Sequence, residues 1–117
     1  ANLVANLELA DRMPSATTSA WEFYSRVKGD VAHVHIKDGI YNGDRKDLDY
    51  TFPGEGDAEV PRIVQDLLGS GYSGFFSMEP HMAVVFHQKG SSAGAEERFS
   101  NYLEYGKRFM RLLDTLP

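Results

Sequence analysis

The sequence predicts an α/β fold, and two observations support this. Segments with helical and strand-like patterns alternate along the chain in the order helix, strand, helix, strand, helix. Strands that alternate with helices form parallel sheets, with the helices as crossover connections. The first strand-like segment, residues 31–37, has a polar side chain at every second position. We therefore predict part of a (β/α)8 barrel, because an open sheet covered by helices needs apolar residues on both faces.

The first helix is predicted from about residue 16 or 19 to residue 27. The hydroxyl-rich run before it offers N-cap residues, of which Ser19 is the last. Trp21, Tyr24 and Val27 lie roughly on one face of such a helix. This face is expected to contribute to the core.

The first strand, Val31 to Lys37, is the clearest functional signal in the chain. Its period of two and its β-branched residues are typical of a strand. Alternate side chains point to opposite faces, so one set is expected to face the helices and the other to face the mouth of the barrel. The first set is Ala32, Val34 and Ile36, and the second is His33, His35 and Lys37.

A long loop and a second helix follow. Residues 38–57 are polar, rich in glycine and without a sustained period, which predicts a loop at the barrel mouth. Asp57 is the expected N-cap of the helix, and Pro61 fits its first turn. The apolar residues of this helix recur at i, i+3, i+4, i+7 and i+8: Val60, Ile63, Val64, Leu67 and Leu68.

The second strand is predicted over Gly74 to Glu79, and Pro80 ends it. Phe76 and Met78 are expected to face the helices, with Phe75, Ser77 and Glu79 on the opposite side. Residues 80–94 are predicted as another loop. A long helix from about residue 95 to residue 116 completes the chain. Its expected buried stripe is Phe99, Tyr102, Leu103, Gly106, Phe109, Met110 and Leu113.

Composition excludes several classes of function. The chain has 117 residues, a net charge of −5 and no cysteine. Disulfides, thiolate catalysis and thiolate metal sites are therefore excluded. The acidic charge balance argues against nucleic-acid or anionic-membrane partners. No apolar run approaches the ~20 residues of a membrane span, so a cytoplasmic protein is expected.

Three segments resemble a known family. They are "VAHVHIKDG" (residues 31–39), "FPGEGDAEVPRIVQDLLGSGYSGFFSMEPH" (residues 52–81) and "FSNYLEYGKRFMRLL" (residues 99–113). Together they resemble the C-terminal part of the sugar phosphate isomerase/epimerase family, whose members are xylose-isomerase-like TIM barrels. The resemblance implies that residues 1–117 form a C-terminal fragment of such a barrel, with its last two strands and three helices.

The resemblance also implies a set of site residues. His35 and Glu79 match metal ligands, and the other two ligands of the family would precede residue 1. The metal would be Mn²⁺, Mg²⁺, Zn²⁺ or Co²⁺. Glu79 would also move a proton, and His33 would orient a ligand. Substrate contacts are expected from Lys37, His81 and Asn2.

Each assignment has a simpler alternative. His35 could be a hydrogen-bonded strand histidine, Glu79 an exposed carboxylate at a strand end, and His81 a solvated surface residue. Lys37 could instead pair with Asp38 or Glu79.

The implied function is that of a metal-dependent isomerase, epimerase or dehydratase. Its substrate would be a sugar or related hydroxy-carbonyl compound, which reacts through an enediolate. With two ligands missing, this chain alone is expected to be inactive. A second hypothesis is a non-catalytic barrel fragment that self-associates. The expected partner is either another copy of this chain, in a homo-oligomer, or a missing N-terminal portion of the barrel. A DNA repair enzyme of the endonuclease IV type is a third, disfavoured by the net charge.

Overall fold

The computed structural model describes residues 19–80 and 95–117. Three α-helices and four strands lie in these two ranges, together with a 3₁₀ turn at Lys28–Asp30. In chain order the elements are α1 (Ala20–Val27), β1 (Val34–Ile36), β2 (Asp38–Asn42), β3 (Asp47–Thr51), α2 (Val60–Gly69), β4 (Phe76–Met78) and α3 (Ala95–Thr115). No helix of these ranges is long and apolar enough to cross a membrane.

The strands form two separate sheets of two strands each. β1 and β4 pair in parallel, with His35 opposite Ser77, and α2 lies between them in the sequence. β2 and β3 pair antiparallel as a hairpin. The predicted α/β character and the parallel pairing of the first and last strands are confirmed.

The prediction of a partial (β/α)8 TIM barrel is wrong. Barrel strands belong to one continuous parallel sheet, whereas the described part of this chain has two small sheets, one of them antiparallel. The sheet of β1 and β4 is not extended by the hairpin that directly follows β1.

The hairpin occupies most of the segment predicted as a loop, residues 38–57. Its strands were missed because they are rich in Asp, Asn and Gly, which are depleted in strands. The turn at residues 43–46 is of the hairpin type, with Lys46 at φ 52° and the Arg45 N–H donated to the Asn42 side-chain oxygen at 3.2 Å. Leu48 is the buried apolar residue of this hairpin.

The core lies where α1, α2 and α3 meet β1 and the hairpin. Tyr24, Tyr105, Ile63 and Val64 are its largest fully buried apolar side chains. The remaining buried apolar residues are Ala20, Val34, Ile36, Leu48, Ala58, Val60, Leu67 and Phe109. The period-3.6 prediction for α2 is confirmed, except that Leu68 is exposed.

The buried face of α3 differs from the predicted stripe. Tyr105 and Phe109 are buried, whereas Phe99 is 71% and Met110 is 60% exposed. The helix carries apolar residues around about half of its circumference, so periodicity alone did not identify the face that packs on the core. Tyr102 and Leu103, also predicted to be buried, are exposed.

Asp57 is not the N-cap of α2. Glu59 occupies that position with φ 53° and ψ 32°, and its side chain makes no cap hydrogen bond. Asp57 instead joins the hairpin, because its N–H donates to the Gly39 carbonyl at 2.9 Å and its carboxylate accepts the Tyr41 N–H at 3.4 Å. The polar segment before α2 is therefore hydrogen-bonded to the first strand of the hairpin.

Candidate functional site

Two predicted site residues meet at the carboxyl ends of β1 and β4. The Glu79 N–H donates to the Ile36 carbonyl at 3.0 Å and so continues the pairing of the strands by one step. This register brings Nδ1 of His35 to 3.2 Å from Oε2 of Glu79. The carboxyl ends of parallel strands lie at one edge of a sheet, where ligands of α/β proteins commonly bind.

His33 and Ser77 continue this polar face toward the other end of the strands. Nε2 of His33 lies 2.8 Å from the Ser77 hydroxyl oxygen. The rings of His33 and His35 are 5.2 Å apart, edge to face. His33 therefore contacts both Ser77 and the neighbouring imidazole, which suits the predicted supporting role.

The His35–Glu79 pair is accessible from solvent. The side chain of His35 is 51% exposed and that of Glu79 is 34% exposed. Nδ1 can donate to the carboxylate, and a protonated imidazole would also pair with it electrostatically. Within the described residues, both groups are therefore open to solvent.

Lys37 does not lie on that open face. It is only 7% exposed, and its ammonium lies over the ring of Tyr50 on β3, 5.0 Å from the centroid. The hairpin that begins one residue later places Tyr50 next to this lysine. The predicted pairing of Lys37 with Asp38 or Glu79 is not found.

Asp38 is a structural centre that sequence reasoning missed. It is 1% exposed, and its two carboxylate oxygens accept four backbone N–H groups at 2.8–3.1 Å. The donors are Gly39, Gly54, Gly56 and Ala58. An Asp at the end of a strand, followed by a glycine-rich turn with free N–H groups, was the available signal.

Gly56 approaches this carboxylate too closely for any side chain. A Cβ at this position would lie 2.6 Å from the Gly39 carbonyl oxygen and would also clash with Asp38. The "PGEG" turn therefore requires glycine here for close packing of backbone around a buried carboxylate.

Tyr105 of α3 contacts the carboxyl end of β1. Its hydroxyl donates to the Ile36 carbonyl at 3.3 Å, directly before Lys37. Burial raises the pKa of Tyr105, and the negative charges of Asp38 and Glu79 raise it further. The phenol therefore stays protonated and fixes the end of β1 as a neutral hydrogen-bond donor.

The imidazole of His35 and the carboxylate of Glu79 are donor types that Mn²⁺, Zn²⁺ and related cations accept. Catalytic zinc sites use three protein ligands, and residues 19–80 and 95–117 contain no group of three His, Cys, Asp or Glu placed to hold a metal. The donor types fit a divalent cation, but these residues alone do not complete a site.

Two predicted substrate contacts, Asn2 and His81, lie outside the described residues.

Comparison with known proteins finds no matching family model, no matching curated protein and no matching solved structure.

Proposed function

We propose that this chain belongs to a metal-dependent isomerase, epimerase or dehydratase that acts on a sugar or related hydroxy-carbonyl compound. The observation that carries the proposal is the His35–Glu79 pair, with 3.2 Å between Nδ1 and Oε2 at the ends of two adjacent parallel strands. The pair is solvent-accessible and lies at the sheet edge where α/β proteins bind ligands.

Glu79 is the proton-transfer group of the proposed reaction. Its carboxylate takes the proton from the hydroxyl-bearing carbon next to the substrate carbonyl, which leaves an enediolate, and then returns that proton to the former carbonyl carbon, while the hydroxyl proton passes to the former carbonyl oxygen. His35 holds the carboxylate in place through its Nδ1. A divalent cation, when bound, supplies polarisation of the carbonyl, and His35 and Glu79 would provide two of its ligands. The other ligands would come from beyond the described residues.

Proton exchange tests the proposal directly. The full chain is incubated in D₂O with Mn²⁺ and a panel of ketoses, and deuterium at the carbon next to the carbonyl is followed by NMR. Because the proposal takes the remaining metal ligands from residues outside the described ranges, exchange with at least one ketose is expected, in place of the inactivity that the resemblance implied for this chain alone. The exchange rate is expected to be about 100-fold lower in Glu79→Gln, because general-base catalysis contributes 10²–10⁴-fold. Calorimetric Mn²⁺ titration is expected to show weaker binding in His35→Gln.

Glu22→Gln is the matched control. Glu22 is an exposed carboxylate that pairs with Arg26 on α1, so its replacement is expected to leave exchange and Mn²⁺ binding unchanged. Absence of exchange with every ketose, or equal rates in Glu79→Gln and the unsubstituted chain, would refute the proposed function.

Self-association without catalysis is a second candidate, favoured by an exposed apolar stripe on α3. Phe99, Leu103 and Met110 lie on one side of the helix and are 71%, 49% and 60% exposed. Such a stripe commonly marks a protein interface. Sedimentation velocity is expected to show a dimer that Phe99→Ser weakens, and a monomer at all concentrations would exclude this candidate.

A further inference from the structure

A cavity of about 350 Å³ lies at the amino end of the β1–β4 sheet, the end opposite to the candidate site. Its apolar walls come from four residues: Tyr24, Val31, Leu67 and Tyr72. The remaining lining residues lie in the segments that directly follow α1 and α2. Cavities that bind small molecules have this size and a mostly apolar lining with a few polar groups. The cavity is therefore a second place in the fold where a ligand could bind.

Three lining residues have hydroxyl groups that already donate their protons to the protein. The Tyr24 hydroxyl donates to the Asp66 carboxylate at 2.6 Å, and the Ser70 hydroxyl donates to the Asp66 carbonyl at 2.7 Å. The Tyr72 hydroxyl donates to the Phe75 carbonyl at 3.0 Å. Toward a ligand, these three oxygens can therefore only accept. A ligand that hydrogen-bonds to them must supply the donor.

The ends of two helices and one carboxylate place negative charge beside the cavity. α1 ends at Val27 and α2 ends at Gly69, and the residues that follow each of them line the cavity. The C-terminal end of a helix carries a partial negative charge, which favours a cation nearby. The Asp66 carboxylate, which accepts the Tyr24 hydroxyl of the cavity wall, adds a full negative charge. These charges favour a positively charged ligand.

Lys28 is the protein's own cation among the lining residues. Its ammonium lies 3.2 Å from Oδ2 of Asp66, and its side chain is 48% exposed. Charge-assisted hydrogen bonds between nitrogen and oxygen are commonly shorter, about 2.7–2.9 Å, and exposed ion pairs contribute little to stability. Arg62, a second base that acts on Asp66, pairs with Glu59 instead. A second ammonium can therefore replace Lys28 at the carboxylate with little loss of stability.

We propose that this cavity binds a small organic ammonium ion, whose charged group pairs with Asp66 and whose apolar body packs against the Tyr24 and Tyr72 rings. The ammonium supplies the N–H donors that the lining hydroxyl oxygens can accept. An aromatic ring attracts a cation to its face, and two such rings line the cavity. The net charge of −5 also favours the approach of a cation. This site goes beyond the proposed function, which uses none of its residues.

Benzylammonium is the probe, with benzyl alcohol and benzoate as its neutral and anionic counterparts. Each compound is titrated into the full chain at neutral pH while the ring signals of Tyr24 and Tyr72 are followed by NMR. We expect saturable shifts of both rings with benzylammonium, and binding of the other two compounds weaker by about tenfold or more. Absence of saturation by benzylammonium would overturn the proposal. Equal or tighter binding of benzyl alcohol or benzoate would do so too, because the cavity would then not select a positive charge.

Substitutions at Asp66 and Lys28 are expected to change the affinity in opposite directions. Asp66→Asn removes the counter-charge, so benzylammonium binding is expected to weaken about tenfold. Lys28→Met removes the ammonium that competes for the same carboxylate, so binding is expected to become severalfold tighter. Weaker binding in Lys28→Met, or unchanged binding in a folded Asp66→Asn variant, would overturn the proposal.

Asp114→Asn and Lys107→Met are the matched controls. Both residues are exposed on α3, and their substitutions change the net charge of the chain in the same way as those at the cavity. Each control is expected to leave the affinity for benzylammonium nearly unchanged. Effects as large as those of the cavity variants would mean that net charge alone governs binding, which would overturn the proposal. The three titrations of the unsubstituted chain and that of Lys28→Met decide the matter even if Asp66→Asn does not fold.

Discussion

The exposed end of the β1–β4 sheet and the buried base of the hairpin are joined through residues 35–38 of the chain, and their charged side chains differ in burial. His35 and Glu79 are partly exposed and contact each other. Lys37 and Asp38 are buried, and Asp38 holds four backbone N–H groups. The first pair is open to solvent, whereas the buried carboxylate organises the backbone around it.

This difference indicates which residues the fold needs and which are available for chemistry. Asp38 connects β2 to the turn at residues 54–58, and that turn leads into α2. Without these bonds the turn would leave several backbone donors unpaired in the interior. The His35–Glu79 pair is partly exposed, and under the proposed function it is the part of the fold that meets a ligand.

Loss of the Asp38 carboxylate is expected to have the largest effect on stability. Asp38→Ala leaves four backbone N–H groups without their acceptor, and buried unsatisfied donors cost about 1–3 kcal/mol each before the structure relaxes. We expect the free energy of unfolding to fall by about 3–5 kcal/mol, measured by urea denaturation followed by circular dichroism.

Asp47→Ala is the matched control for this change. Asp47 is exposed and accepts one backbone N–H, that of Leu48, at 2.8 Å. Its replacement is expected to cost less than about 1 kcal/mol. Similar losses in the two variants would contradict the structural role of Asp38.

A methyl group at Gly56 tests the same centre by crowding. Gly56→Ala places Cβ against Asp38 and the backbone of Gly39, and overpacking of this kind costs about 1–3 kcal/mol. Gly43→Ala, in the hairpin turn, has no atom within 4 Å of the new methyl group. Denaturation midpoints are expected to fall for Gly56→Ala and to stay nearly constant for Gly43→Ala, and the reverse order would be evidence against close packing at Gly56.

Local sequence patterns predicted α1, α2, β1 and β4, because the spacing of apolar residues within each element is typical of a helix or of a strand. The parallel pairing of β1 and β4 followed from the alternation of strands and helices. The convergence of His35 and Glu79 followed from that pairing. This much of the candidate site was present in the sequence.

Tertiary interactions determine the features that the sequence patterns did not predict, namely the β2–β3 hairpin, the burial of Lys37 and the hydrogen bonds to Asp38. The β2–β3 hairpin is stabilised by the bonds from Asp57 to Gly39 and Tyr41 and by the buried Leu48, not by strand propensity. Burial of Lys37 depends on that hairpin. The four donors to Asp38 come from positions up to 20 residues away, so the glycine-rich turn was visible in the sequence but its pairing with Asp38 was not.

Breaking the His35–Glu79 contact is expected to change stability far less than the changes at Asp38 and Gly56. Exposed ion pairs contribute about 0.2–1 kcal/mol. A double-mutant cycle of His35→Gln and Glu79→Gln, measured by urea denaturation, is expected to give a coupling free energy below about 1 kcal/mol. A coupling above about 2 kcal/mol would mean that the pair is structural, and it would remove the reason to assign it to a ligand.

Asp66 of α2 is intermediate in exposure between Asp38 and Glu79, and the smallest effect on stability is expected for changes at its contacts. Its side chain is 28% exposed, between Asp38 and Glu79, and it accepts the Tyr24 hydroxyl at 2.6 Å and the Lys28 ammonium at 3.2 Å. The Tyr24 hydrogen bond, followed by that from Lys28, lowers the pKa of Asp66. Since the folded pKa lies below the unfolded one, this stabilisation is complete above the unfolded value of about 3.9 and is lost as pH falls through the folded pKa.

Removal of the Tyr24 hydroxyl is expected to return the pKa of Asp66 toward its ordinary value. In Tyr24→Phe the largest cause of the shift is gone, so the pKa of Asp66, followed by carboxyl ¹³C NMR, should rise. Ser25→Ala, on the same helix, removes a hydroxyl that bonds only to the Trp21 carbonyl and should leave this pKa unchanged. An unshifted Asp66 in Tyr24→Phe would mean that Lys28 and Arg62 set its pKa. In that case the Tyr24 hydroxyl would not distinguish Asp66 from the more exposed Glu79.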